Sequence, residues 1–155
     1  YSDFDLQRYA VIVGDANYTQ GLTRFLSDDL GWLPELVIIN DLLEEEQKEF
    51  LRRKFSDYES GIKPELVFDT DASSVLKHIN RHWEVNKNPR YYDSMTPAFL
   101  IGSSFEKETA QKIKAQHLSV MYPVSNRVVL DRAYAGFEGA LTLTEDIFSV
   151  LLESR

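Results

Sequence analysis

Cysteine is absent from the 155 residues, and several chemistries go with it. The chain can form no disulfide, offer no thiolate nucleophile, and hold no cysteine-ligated zinc or iron–sulfur cluster by itself. Apolar runs are short: none approaches the roughly 18 residues that cross a bilayer, and the first residues lack the charged-then-apolar order of a secretory signal. No membrane association and a cytoplasmic location are therefore expected. Positive charge is also scarce, with 17 Lys and Arg against 25 Asp and Glu and a formal net charge of −8. A surface of that sign repels phosphate backbones, so no nucleic acid is expected as a partner. The opening residue is Tyr1 rather than Met, which suggests an excised or processed segment.

What is present is globular. Apolar residues make up 43% and charged residues 27%, and the length suits one domain with one core. Strand-length apolar runs recur at Tyr9 to Val13, Glu35 to Ile39, Glu65 to Phe68, Ala98 to Ile101 and Leu118 to Tyr122. Between them the apolar spacing is helical. Leu22, Phe25, Leu26 and Leu30 mark one helix face, Gly31 a stop, and Pro34 the approach to the next strand. A second helix over about Leu42 to Phe55 has acids first and bases last, matching the helix dipole. Asp71 is placed to cap a third that turns Val75, Leu76 and Ile79 inward, and Ser103 with Glu106 forms a capping box for a fourth. A long closing helix is expected to pack through Leu141, Ile147 and Leu151. Strands alternating with helices predict an α/β fold: a three-layer sandwich around a mostly parallel sheet of about five strands.

The opening stretch "AVIVGDANYTQGLTRFL" reads as a strand, a turn and a helix. A dinucleotide site would need three glycines in that turn, and only Gly14 is there. Two turns, Gly14 to Asn17 and Gly102 to Ser103, precede helices and are candidates to face an anion with free amides. Against this, Asn17 and Ser103 can satisfy those amides as caps, and Asp15 would repel a phosphate, so capping is favoured. His78 and His82 stand four apart on one helix, a spacing that suits a metal. Without the glutamate of H-E-x-x-H they read better as a solvated pair. His117 has no evident partner. Asp69 and Asp71 read as a turn acid and a cap, and no G-x-S-x-G elbow is present. No catalytic, cofactor-binding or metal-ligating residue is predicted from these patterns.

The stretch "VMYPVSNRVVLDRAYAGFEGALTLTEDI" has a less ordinary order: Pro123, Arg127, then Tyr134, Gly136, Phe137 and Gly139 opening a helix. Packing of the rings against the sheet explains the glycines but not the whole combination. Taken with Gly14–Asp15, Gly21 to Leu26, Gly31 to Pro34, and Ala98 to Lys107, it resembles the nitrogenase component 1 family. The match is to the last, Rossmann-like domain of a molybdenum–iron protein β-chain-like subunit. Tyr122 to Arg127 resembles the family's F-P-x-x-D-R with Asn126 for the acid, Ser103 stands for its Asn, Glu106 for a glycine, and Gly136 to Ala140 for its G-Y-x-G-A. The loop Met121 to Asn126 lacks the histidine of an α-type chain.

The resemblance implies that residues 1–155 are one of three such domains in a larger subunit. The full oxidoreductase would reduce dinitrogen to ammonia in a heterotetramer. Its P-cluster and iron–molybdenum cofactor would lie outside this domain. An α-type subunit, the chain's own upstream domains and an iron protein reductase would be its partners. The isolated domain is expected to be catalytically silent, with Pro123, Arg127, Tyr134, Gly136, Phe137 and Gly139 at contacts between domains or subunits. A cofactor-assembly scaffold or a tetrapyrrole reductase subunit of the same family is one alternative. A free-standing α/β domain that binds a small anion is the other.

Overall fold

The structure, a computed structural model, describes residues 9–85, 99–120 and 136–153. Five strands form one sheet: β1 (Tyr9–Gly14), β2 (Leu33–Ile39), β3 (Glu65–Phe68), β4 (Phe99–Gly102) and β5 (Gln116–Ser119). Their order is β3-β2-β1-β4-β5, and every neighbouring pair is parallel. Among the described residues five α-helices accompany them: α1 (Ala16–Arg24), α2 (Glu45–Lys54), α3 (Val75–Val85), α4 (Lys107–Ile113) and α5 (Gly136–Glu153).

The layering follows from side-chain alternation in a sheet buried on both faces. Ala10, Ile12, Val37, Ile39, Phe99 and Ile101 join Leu22, Leu26, Leu51, Phe55, Leu143 and Ile147 on the face covered by α1, α2 and α5. Val11, Val13, Leu36, Ile38 and Leu100 meet Val75, Ile79 and Ala110 of α3 and α4 on the other. The protein is thus an α/β three-layer sandwich of Rossmann-like topology. From β1 the chain runs outward through β2 to β3, then returns to place β4 on the far side of β1. The crossovers run one way along the sheet before β3 and the other way after it, which with connections of the usual right hand puts α1 and α2 on one face and α3 and α4 on the other.

Several boundaries move for identifiable reasons. α1 begins at Ala16 with Asp15, not Asn17, as its cap: the Asp15 carboxylate accepts from the Asn17 and Tyr18 amides. After Arg24 the helix widens into a π turn over Phe25–Asp29 and closes at Gly31, whose φ is +68°. The Trp32 amide returns to the Leu26 carbonyl at 2.8 Å, closing the helix end beyond a left-handed glycine. α2 starts three residues later than its charge pattern predicts, leaving Leu42 92% exposed. β5 starts earlier than expected because Lys114, itself left-handed at φ 57°, ends α4 and turns the chain straight into the sheet. In α5, Leu143 rather than Leu141 faces the core with Ile147; Leu141 is exposed. Leu76 is only half-buried, while Val75 and Ile79 are buried as expected.

β2 carries a bulge that its proline marks. Ala10 pairs with Pro34 and Val11 with Leu36, so Glu35 is the extra residue. Pro34 lacks an amide to donate, and the irregularity occurs where a central strand can tolerate that.

Candidate functional site

In an open parallel sheet the crevice for a ligand opens where the strand order reverses, at the carboxyl ends of the strands. Here that point lies between β1 and β4, and a cleft of about 270 Å³ opens there, lined by Val13, Gly14, Asp15, Tyr18, Asn40, Ser103, Glu106 and Val120. Both turns singled out in the sequence reach it, through Gly14 and through Ser103. Asn17 is exposed and Gly102 is buried at the end of β4; neither lines the cleft.

The amides that would greet an anion are engaged by the chain's own oxygen atoms. At α1, the Ala16 amide donates to Asp41 Oδ2 at 2.8 Å, and those of Asn17 and Tyr18 donate to Asp15 Oδ1 at 3.0 Å each. At the 3₁₀ turn that leads into α4, the Ser103 amide donates to Glu106 Oε2 at 2.6 Å, the Ser103 hydroxyl to the same oxygen at 2.7 Å, and the Phe105 amide to Ser103 Oγ at 3.2 Å. Ser103 is the cap and Glu106 the return arm of the box, as the spacing predicts. Glu106 is only 4% exposed. Gly102 makes room for it, since a Cβ there would lie 2.8 Å from Glu106 Oε2. Three carboxylates therefore stand where a phosphate would need free donors.

The histidines lie elsewhere and are not a solvated pair. His82 is buried, with one ring nitrogen on the Glu65 carboxylate and Nε2 at 3.2 Å from Glu35 Oε2. Burial opposes its charge, but the hydrogen bonds and negative charges of Glu35 and Glu65 outweigh it and raise its pKa. His78 Nε2 lies 2.7 Å from Asp69 Oδ2, which also accepts from the Ser74 hydroxyl. Those bonds, His78 first, hold Asp69 well below the usual carboxylate range. Asp69 is thus a bonded group rather than a free turn acid, and Asp71 caps the turn before α3 by accepting from the Ser73 amide. His117 does have a partner: Nε2–H donates to the Ser103 carbonyl at 2.9 Å, and burial lowers its pKa. Among the described residues no three His, Asp or Glu side chains are arranged to hold a metal ion. Gly136, Phe137 and Gly139 fall in the first turns of α5; Pro123, Arg127 and Tyr134 lie outside the described residues.

These features define the class: a Rossmann-like α/β domain that keeps the switch-point crevice and fills its amide sites with carboxylates. Residues 3–152 match the family described as nitrogenase component 1 type oxidoreductase. The chain belongs to that family. It is 26% identical over 155 residues to the B-type subunit of light-independent protochlorophyllide reductase from Roseiflexus sp. (strain RS-1), covering 94% of this chain and 25% of that protein. It is 24% identical over 151 residues to the same subunit from Roseiflexus castenholzii (strain DSM 13941 / HLO8), with the same coverage. A solved structure titled "Nitrogenase Cp1 at pH 6.5" shares the fold with a TM-score of 0.72 at 21% identity, over 96% of this chain and 29% of that one. The chain spans about a quarter of the length of the curated relatives it matches. Iron–sulfur clusters are held by thiolates; with no cysteine, the residues of this chain do not fit such a cluster on their own. No helix among the described residues is long and apolar enough to cross a membrane.

Proposed function

We propose that this chain is a scaffold domain of a component-1-type oxidoreductase subunit of the B or β type, contributing packing and subunit contact rather than bound nucleotide or redox groups. The observation that carries the reading is the state of the crevice, where carboxylates and a hydroxyl of the chain take up the amides of both helix starts. A Rossmann-like layer used for its architecture has no need of a free anion site. The subunit would have further domains. Its clusters would be ligated outside this one, and an α-type chain and a reductase protein would be its partners. The segment from Pro123 through Arg127 and Tyr134 to Gly139 is our proposed contact with those neighbours.

For the complete enzyme, the two matches to protochlorophyllide reductase chains favour reduction of a tetrapyrrole such as protochlorophyllide. The ordered resemblance of Gly14–Asp15, Gly21 to Leu26 and Tyr122 to Arg127 to a molybdenum–iron protein β chain supports dinitrogen reduction as the second reading. Expressing the native coding frame that surrounds this segment tests the proposal. A frame that adds cysteine-bearing domains and purifies with iron and a second subunit agrees with it. A frame that encodes only this domain, free of iron and partner, overturns it. Protochlorophyllide and dinitrogen reduction by the assembled protein then separate the two chemistries.

A further inference from the structure

We propose that the outward stripe of α2, formed by Glu46, Phe50 and Arg53, docks against the same stripe of a second copy of this chain, with the two helices antiparallel. The inference goes beyond the scaffold reading and stands without it. Leu51 within α2 and Phe55 at its C-cap are buried and hold the helix to the sheet. On the side away from them Glu46, Phe50 and Arg53 follow at helical spacing, all exposed, Phe50 by 50%. Other charges of the helix are engaged within the chain. Lys48 Nζ lies 2.9 Å from Glu45 Oε1, Arg52 pairs with Glu49, both cations lie over the Phe68 ring, and Lys54 Nζ lies 5.4 Å from the Phe50 ring. Glu46 and Arg53 form no ion pair among the described residues. The helix dipole accounts for acids first and bases last. It does not account for a half-exposed ring at the helix midpoint, set between an acid and a base that pair with nothing in the chain.

A two-fold contact needs a surface that complements itself, and this stripe does so. A helix rises about 1.5 Å per residue, so Glu46 stands about 6 Å before Phe50 and Arg53 about 4.5 Å after it. Turning one copy over about an axis beside Phe50 brings each Glu46 level with the Arg53 of the other copy, to within about 1.5 Å along the helix. The two Phe50 rings then meet between the two ion pairs. Charge also selects the occupant. A uniformly acidic partner would set like charge against Glu46, and a uniformly basic one against Arg53; the same graded helix in reverse does neither. Ten residues of helix span about 15 Å, which makes a contact smaller than a standard interface and hence a weak, reversible dimer. The formal charge of −8 on each copy opposes association at long range, but at about 0.15 M salt that repulsion is screened beyond about 8 Å, and pairs in contact are screened less.

Sedimentation equilibrium of the 155-residue protein at about 0.15 M salt tests this. Dimerisation with a dissociation constant of roughly 10 μM to 1 mM is expected. Glu46→Arg and Arg53→Glu each set like charges across both contacts and should weaken the dimer roughly ten-fold or more. Mixed in equal amounts, the two variants should associate again, because a stripe with two bases then faces a stripe with two acids. A variant that failed to fold could not be recovered in that way. Phe50→Ala, which introduces a good helix former, should weaken the dimer by a similar factor. A protein that stays monomeric throughout that range, a dimer indifferent to either charge reversal, or a mixture that does not associate would each overturn the proposal. So would backbone amide NMR shifts that move with protein concentration only at surfaces other than α2.

Discussion

An imidazole held between two carboxylates keeps its proton more firmly than a free one, and His82 is so held by Glu35 and Glu65. Because its folded pKa is raised, the stability it contributes is fully present below its unfolded value of about 6.5 and is lost as pH rises through the folded value. His117 runs the other way: its lowered pKa makes its contribution present above the unfolded value and lost as pH falls. His82→Gln should therefore cost about 1 to 3 kcal/mol at mildly acidic pH and less at alkaline pH. Urea denaturation of both proteins across that range measures the difference; a cost independent of pH would contradict the assignment. The sequence places His82 beside His78 on one helix and suggests solvent. Its partners lie 17 and 47 residues away, and one of them, Glu35, reaches it from a bulge. No local pattern encodes that meeting. The Ser103–Glu106 box was legible because both residues sit within one turn.

At the scale of elements, local rules carry most of the order. The apolar runs of β1 and β2, the spacing of Leu22, Leu26, Val75 and Ile79, and the graded charge of α2 all appear where the sequence puts them. The element ends shifted, since they depend on which of two nearby polar residues takes the cap, as with Asp15 and Asn17. Leu141 and Leu143 are likewise both apolar, and only the docking of α5 decides which faces inward. Gly31 offers a clean test of a helix stop. Its φ is +68° and nothing lies within 4 Å of where a Cβ would stand, so a substitution there meets conformational strain without a clash. Gly31→Ala should cost roughly 1 to 2 kcal/mol, lowering the thermal midpoint by several degrees, about 2 to 4 °C per kcal/mol in a chain of this size. An unchanged midpoint would mean that the turn relaxes into another form.

For the whole molecule, the layered α/β class follows from the rhythm of strands and helices, while the strand order depends on crossovers that no single segment records. The crevice at the reversal point is a product of that order. Its lining combines residues from opposite halves of the described chain, Gly14, Asp15 and Tyr18 with Ser103, Glu106 and Val120. Each turn is recognisable alone, with Asp15 and Glu106 taking amides within three residues of themselves; that Asp41 completes the set at Ala16 from 25 residues away is a tertiary fact. It separates this domain from nucleotide-binding sandwiches of the same topology, in which helix-start amides are left for phosphate.

The most direct measurement is titration calorimetry of the domain with NADH, ADP and inorganic phosphate at neutral pH. No saturable heat is expected for any of the three, because the donors they would use are already bonded to carboxylates and a hydroxyl. A dissociation constant in the micromolar range for any one of them would contradict it and make the crevice an anion site.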